Sequence, residues 1–119
     1  MPALSTRTHG VLDYVAAAVL IVLPWPSGLR GAAAAVPTVL GAILLLYSLA
    51  TDYELGALRR LQMPVHLWGD AFLGVLLAVS PWLFSFDRSV WLPHLIVGLL
   101  LVAAAVFTRT IPGYERRRA

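Results

Sequence analysis

The chain has 119 residues, of which 60% are hydrophobic and 13% charged, against roughly 45–50% and about 25% in soluble globular domains. A soluble protein of this size has too little interior to hide so much apolar surface, so the composition points to the bilayer as solvent. The absence of cysteine excludes disulfides, thiolate metal sites and thiol nucleophiles, and the net charge of +3 comes from Arg residues lying between or beyond apolar runs rather than on one basic helix face, which argues against a nucleic-acid partner.

Four apolar segments follow in order, at roughly residues 8–25, 33–51, 65–83 and 90–108. Each approaches the ~20 residues that cross ~30 Å of hydrocarbon as a helix, the only open-chain structure that satisfies its own backbone in lipid. The first carries Arg7 ahead of an apolar run, as a signal peptide would, but Asp13 and Tyr14 interrupt that run. It is read as a retained helix. Pro24-Trp25-Pro26-Ser27-Gly28 ends it, because two prolines remove donors and Gly28 permits a turn. Pro37, Pro64 and Pro93 are expected near the starts of the second, third and fourth helices, where a missing N–H costs little. Pro112-Gly113 is expected to stop the fourth. Trp25, Trp82 and Trp91, with Tyr53 and Tyr114, fall near span ends, where amphipathic rings act as interfacial anchors.

The second half repeats the first at a spacing of 57 residues. His9 maps onto His66, Asp13 onto Asp70, Pro24-Trp25 onto Pro81-Trp82, Gly41 onto Gly98, Thr51 onto Thr108 and Arg59-Arg60 onto Arg116-Arg117. Such a repeat marks a duplicated supersecondary unit. The expected fold is an all-α membrane protein of four transmembrane helices. It forms an up-down-up-down bundle made of two tandem parallel helical-hairpin repeats (about 6–62 and 63–119) within a single membrane domain. Arg7, Arg59, Arg60, Arg109, Arg116, Arg117 and Arg118 would lie on one side and Arg30 and Arg88 on the other, which places both termini in the cytoplasm by the positive-inside rule. The run Arg116-Arg117-Arg118 would touch anionic lipid heads.

His9 and Asp13 are four apart, as are His66 and Asp70, so each pair shares a helix face. Convergence of the two pairs would create a site able to hold a divalent metal such as zinc, or a proton. The structural alternative is a brace, with each Asp paired to its own His or to Arg59, Arg60 or Arg116. Small residues one or two turns on (Ala17; Gly74 and Ala78), together with Gly41 and Gly98, suit close helix approach. Ser80 is placed to bond a carbonyl freed by Pro81. His94, equivalent to Pro37 in the repeat, reads as an interfacial or capping residue, and Asp52-Tyr53-Glu54 as a solvated acidic loop.

The strings LLAVSPWLFSF at 76–86 and VHLWGD at 65–70 resemble the SPW-repeat family of small bacterial integral membrane proteins. The first copy, THGVLDYVAAAVLIVLPW at 8–25, is similar, with Leu23 in place of the motif's Ser. The resemblance implies a four-helix protein of the bacterial inner membrane and supplies neither catalytic residues nor a cofactor. No enzyme activity is expected. The leading expectation is a structural or interaction bundle in contact with lipids, self-associating or bound to another membrane protein. The alternative is a small ion or proton binding or transport unit centred on His9, Asp13, His66 and Asp70.

Overall fold

Ser5 opens the first helix: its hydroxyl accepts a hydrogen bond from the Thr8 amide at 3.1 Å, pairing a donor that a helix start otherwise leaves free. The computed structural model describes residues 4–108 and shows four helices, α1 (Thr6–Val22), α2 (Ala32–Ala50), α3 (Met63–Leu83) and α4 (Leu92–Val106). The readings placed on Arg109, Pro112-Gly113, Tyr114 and Arg116-Arg117-Arg118 lie outside the described residues. The connection from α1 to α2 turns at Gly28 and Gly31, with φ of 84° and 58°, a left-handed backbone that glycine adopts without a Cβ clash.

Helices α1 and α2 form one hairpin and α3 and α4 a second, joined along α2 and α3, while α1 and α4 meet only sparingly. Ala17, Leu20, Leu40, Leu44, Leu73, Leu77 and Leu101 form the apolar centre. The hairpins close where small residues face each other. A Cβ placed on Gly41 would lie 3.0 Å from the Ala17 carbonyl oxygen, and one on Gly98 would meet the Gly74 carbonyl and the Ala78 nitrogen, the latter at 2.6 Å. The expected close packing of these positions is therefore present.

Matched backbone contacts carry the repeat into three dimensions. The Leu61 amide donates to the Ala50 carbonyl at 2.8 Å, and the Leu4 amide to the Phe107 carbonyl at 2.9 Å; the donors, like the acceptors, are equivalent positions of the two copies. Thr51 bridges Leu61, and Thr108 bridges Leu4. The segment ahead of α1 is thus clasped by the end of α4, as the segment ahead of α3 is clasped by the end of α2.

The prolines behave in two ways. Pro64 lies in the first turn of α3 and Pro93 in that of α4, as expected. Pro81 sits inside α3, and Ser80 donates to the Leu77 carbonyl at 2.7 Å, the carbonyl that Pro81 deprives of its amide partner. Pro37 is not at a helix start. Helix α2 begins earlier, so Pro37 falls in its second turn and frees the Ala33 carbonyl. His94 Nε2 donates to that oxygen at 2.9 Å. The histidine that replaces Pro37 in the second repeat thus satisfies the carbonyl that Pro37 orphans in the first. Replacing His94 with Leu should cost about 1–3 kcal/mol by leaving a buried acceptor unpaired. The loss should shrink in a Pro37→Ala background, where residue 37 regains its N–H. Equal losses in both backgrounds, measured by chemical unfolding, would refute this assignment.

The expectation of four membrane-crossing helices is not met. Among the described residues, only α2 and α3 are long and apolar enough to cross a membrane. Helices α1 and α4 have 17 and 15 residues and rise about 25 and 22 Å, short of the ~30 Å hydrocarbon layer. The apolar runs read from the sequence extended beyond these helices into turns, where Pro24 and Phe107 no longer belong to a helix. The outer surface is nevertheless apolar. Val65, Trp68, Phe72, Val75 and Val79 form an exposed stripe on α3, and Val11, Val15, Val19 and Val22 one on α1. An exterior this greasy around a polar interior is consistent with membrane association.

Candidate functional site

The polar interior lies near the helix ends bordered by the segment 51–62. Thr6, His9 and Asp13 face inward from the first turns of α1, at positions separated by three and four residues. His66 and Asp70 do the same on α3. All four side chains of the His-Asp pairs are fully buried, at 0% exposure.

The pairs exchange partners between the repeats. His9 Nε2 lies 2.5 Å from Asp70 Oδ2 and 3.0 Å from its own neighbour, Asp13 Oδ2. His66 Nε2 lies 2.7 Å from Asp13 Oδ2 and 3.4 Å from Asp70 Oδ2. In each case the contact across the repeats is shorter than the contact within the helix. The Asp residues therefore meet both imidazoles: the expected pairing of each with its own His is present, and a shorter contact with the other repeat's His is added to it.

Two threonines fix how the rings present their nitrogens. Thr51 Oγ1 donates its single hydrogen to the Tyr47 carbonyl at 2.6 Å, and Thr108 Oγ1 donates to the Ala104 carbonyl at 2.5 Å. Each hydroxyl can then only accept from the imidazole beside it, His66 Nδ1 at 2.7 Å and His9 Nδ1 at 2.7 Å. Both rings consequently carry hydrogen on Nδ1 and turn Nε2 toward the carboxylates. An acceptor on a histidine's far nitrogen fixes the tautomer and the ring's orientation, which is what the outer partners of metal-ligating histidines do.

The two halves differ at the carboxylates' other oxygens. Tyr47 donates its hydroxyl to Asp70 Oδ1. Asp13 Oδ1 has no partner, because the second repeat holds Ala104 where the first holds Tyr47. Around the cluster, the Tyr47 ring packs edge-on against His66 with centroids 4.9 Å apart, and the Tyr53 ring lies 5.7 Å from the same imidazole.

The segment 51–62 is a cover rather than a solvated acidic loop. Tyr53 is fully buried, and its burial pushes the phenol above its ordinary value. A Cβ on Gly10 would collide with this ring, so glycine at that point of α1 is what admits Tyr53. Thr6 donates to both Glu54 carboxylate oxygens, at 2.7 and 2.8 Å, and Tyr14 donates to the Leu55 carbonyl at 2.8 Å. These bonds fasten the cover to α1. Tyr53 is thus packed inside rather than serving as an interfacial anchor, whereas Trp25, Trp82 and Trp91 are exposed.

One ligand atom from each of His9, Asp13, His66 and Asp70 lies within 4.8 Å of the others. Neutral imidazole nitrogen and carboxylate oxygen are competent ligands for a divalent transition metal. A tetrahedral ion with ligands at about 2.0–2.2 Å needs ligand separations of roughly 3.3–3.6 Å. The present N···O separations of 2.5–3.4 Å would therefore widen by about an ångström or less. The residues fit the group chemically, in number and in enclosure. Sequence spacing identified these four residues but not Tyr47, whose partner is 23 positions away; Thr51 and Thr108 were visible only as a repeated pair.

Fold and site together define a helical bundle of two tandem hairpins, apolar outside, whose interior holds a buried cluster of two histidines and two aspartates able to coordinate a metal. The chain belongs to the SPW repeat domain family, which matches residues 7–108. No curated protein and no solved structure matches the chain in the other comparisons.

Proposed function

We propose that this protein binds a divalent transition-metal ion, held by Nε2 of His9 and His66 and by a carboxylate oxygen from each of Asp13 and Asp70. The observation that carries this reading is the convergence of four competent ligand atoms, fully buried, from both repeats. It favours the ion-binding alternative over a generic structural role. The threonine bonds add support, because they hold the metal-facing nitrogen of each ring toward the shared centre. Protein purified without chelator and then titrated with Zn²⁺ should bind close to one ion per chain. A ratio near zero by elemental analysis, with no heat of binding on titration, removes the metal reading.

The short contacts across the repeats favour a second reading, in which the network holds protons instead of a cation. Hydrogens along the Nε2···O lines satisfy the same atoms that a metal would join. Failure of every divalent ion tested to bind, with the cluster still required for proton-coupled uptake in proteoliposomes, would select this reading.

The protein is further proposed to reside in the bacterial inner membrane, with the end bearing Arg7, Arg59 and Arg60 toward the cytoplasm. The distribution of Arg supports this orientation. The cysteine-free chain allows a clean test at the exposed positions Ala57 and Ser27. An impermeant thiol reagent should label Ser27→Cys in intact spheroplasts and Ala57→Cys only after permeabilisation. The reverse pattern overturns the orientation.

A further inference from the structure

The repeat breaks its symmetry at one functional atom, and a groove lies beside the residue that carries it. In the first copy the Tyr47 hydroxyl donates to Asp70 Oδ1. In the second copy Ala104 stands at the equivalent position, and Asp13 Oδ1 is a buried acceptor without a partner. A buried acceptor left unpaired bears its full desolvation penalty, and a charged one bears more than a neutral one. Between α1 and α4, which meet only sparingly, lies a groove of about 580 Å³. Leu12, Ala16, Leu100, Ala104 and Phe107 line it, and Asp13 is its charged lining residue. That volume falls within the roughly 300–1,000 Å³ typical of small-molecule sites, which combine apolar walls with a few polar groups.

We propose that this groove is a binding site for a small amphiphile headed by a phenolic hydroxyl, a class that includes hydroquinone-headed lipids. The head would donate to Asp13 Oδ1 as Tyr47 donates to Asp70 Oδ1, and the ring would fill the space that Ala104 leaves. The apolar tail would run along the α1/α4 walls toward the exposed face of Val15 and Leu100. The chemistry is set by the first repeat, which shows what a carboxylate in this setting accepts: a ring-borne O–H approaching from an apolar wall. The site uses the oxygen of Asp13 that faces no imidazole, so it is independent of the ion reading.

The probe is 4-octylphenol, titrated into the protein in lipid nanodiscs and followed by the NMR shift of the Ala103 methyl on the groove wall. Saturable binding to the wild-type chain is expected, with octylbenzene at least about tenfold weaker because it cannot satisfy the carboxylate. Ala104→Tyr should weaken octylphenol binding at least about tenfold by supplying the missing phenol in place of the ligand. Equal affinity for octylphenol and octylbenzene would overturn the proposal, as would a folded Ala104→Tyr protein that binds octylphenol like the wild type. Should that variant fail to fold, the comparison of the two probes on the wild-type chain decides by itself.

Discussion

Replacing His9, Asp13, His66 and Asp70 together with Leu should give a protein that still folds but has lost all ion binding, whereas Asp70→Leu alone should destabilise it by about 3–5 kcal/mol. The contrast follows from burial. A single removal leaves two imidazoles and one carboxylate enclosed at 0% exposure with mismatched hydrogen-bonding needs. Removal of all four exchanges a buried polar network for apolar contacts, which is often neutral or stabilising. The four groups are therefore expected to matter more for binding than for folding. Thermal unfolding in detergent and Zn²⁺ titration of the same preparations separate the two effects. A quadruple variant that cannot fold, with a wild-type chain that binds no ion, would make the cluster a brace.

The same cluster predicts the direction of a pH effect. Coordination needs bare Nε2 lone pairs and ionised carboxylates, because a ligand atom cannot hold a proton and a metal together. Lower pH supplies the competing protons, so affinity should weaken as pH falls. If two protons leave per ion, the loss approaches about 100-fold per pH unit across the responsive range. Calorimetry in buffers of different ionisation enthalpy counts the protons released, and a count of zero contradicts direct coordination by these histidines.

The second large effect is expected at the hairpin crossing. Gly98→Leu should cost about 3 kcal/mol or more, at the upper end of overpacking penalties. The neighbours of a new Cβ there are the Gly74 carbonyl and the Ala78 backbone, which no side-chain rotation can move aside. Even Gly98→Ala should destabilise, against the roughly 1 kcal/mol that Ala gains over Gly in a helix interior. Gly69→Ala is the matched control on α3, since a Cβ there meets only the Tyr47 ring at an ordinary 3.6 Å. It should be neutral or stabilising. Similar melting temperatures for Gly98→Ala and Gly69→Ala would show that the hairpin does not depend on this approach.

The sequence alone determined the repeat, the hairpin unit, the close approach at Gly41 and Gly98, the role of Ser80 beside Pro81, and the four polar residues of the site. These follow from covalent order and helical period: residues three or four apart share a face, and a scarce residue repeated at a fixed spacing marks an equivalent place. Helix ends were less legible. Apolar composition continues through turns, so runs of near-spanning length became helices of 17 and 15 residues in α1 and α4. The tertiary structure decided everything that depends on one repeat meeting the other. It turned each histidine toward the other copy's aspartate. It brought Thr108 to His9 across 99 positions. It folded Tyr53 over His66 as a cover and gave His94 the carbonyl that Pro37 frees. No periodicity encodes such contacts, because they arise from the packing angle between hairpins rather than from spacing within one.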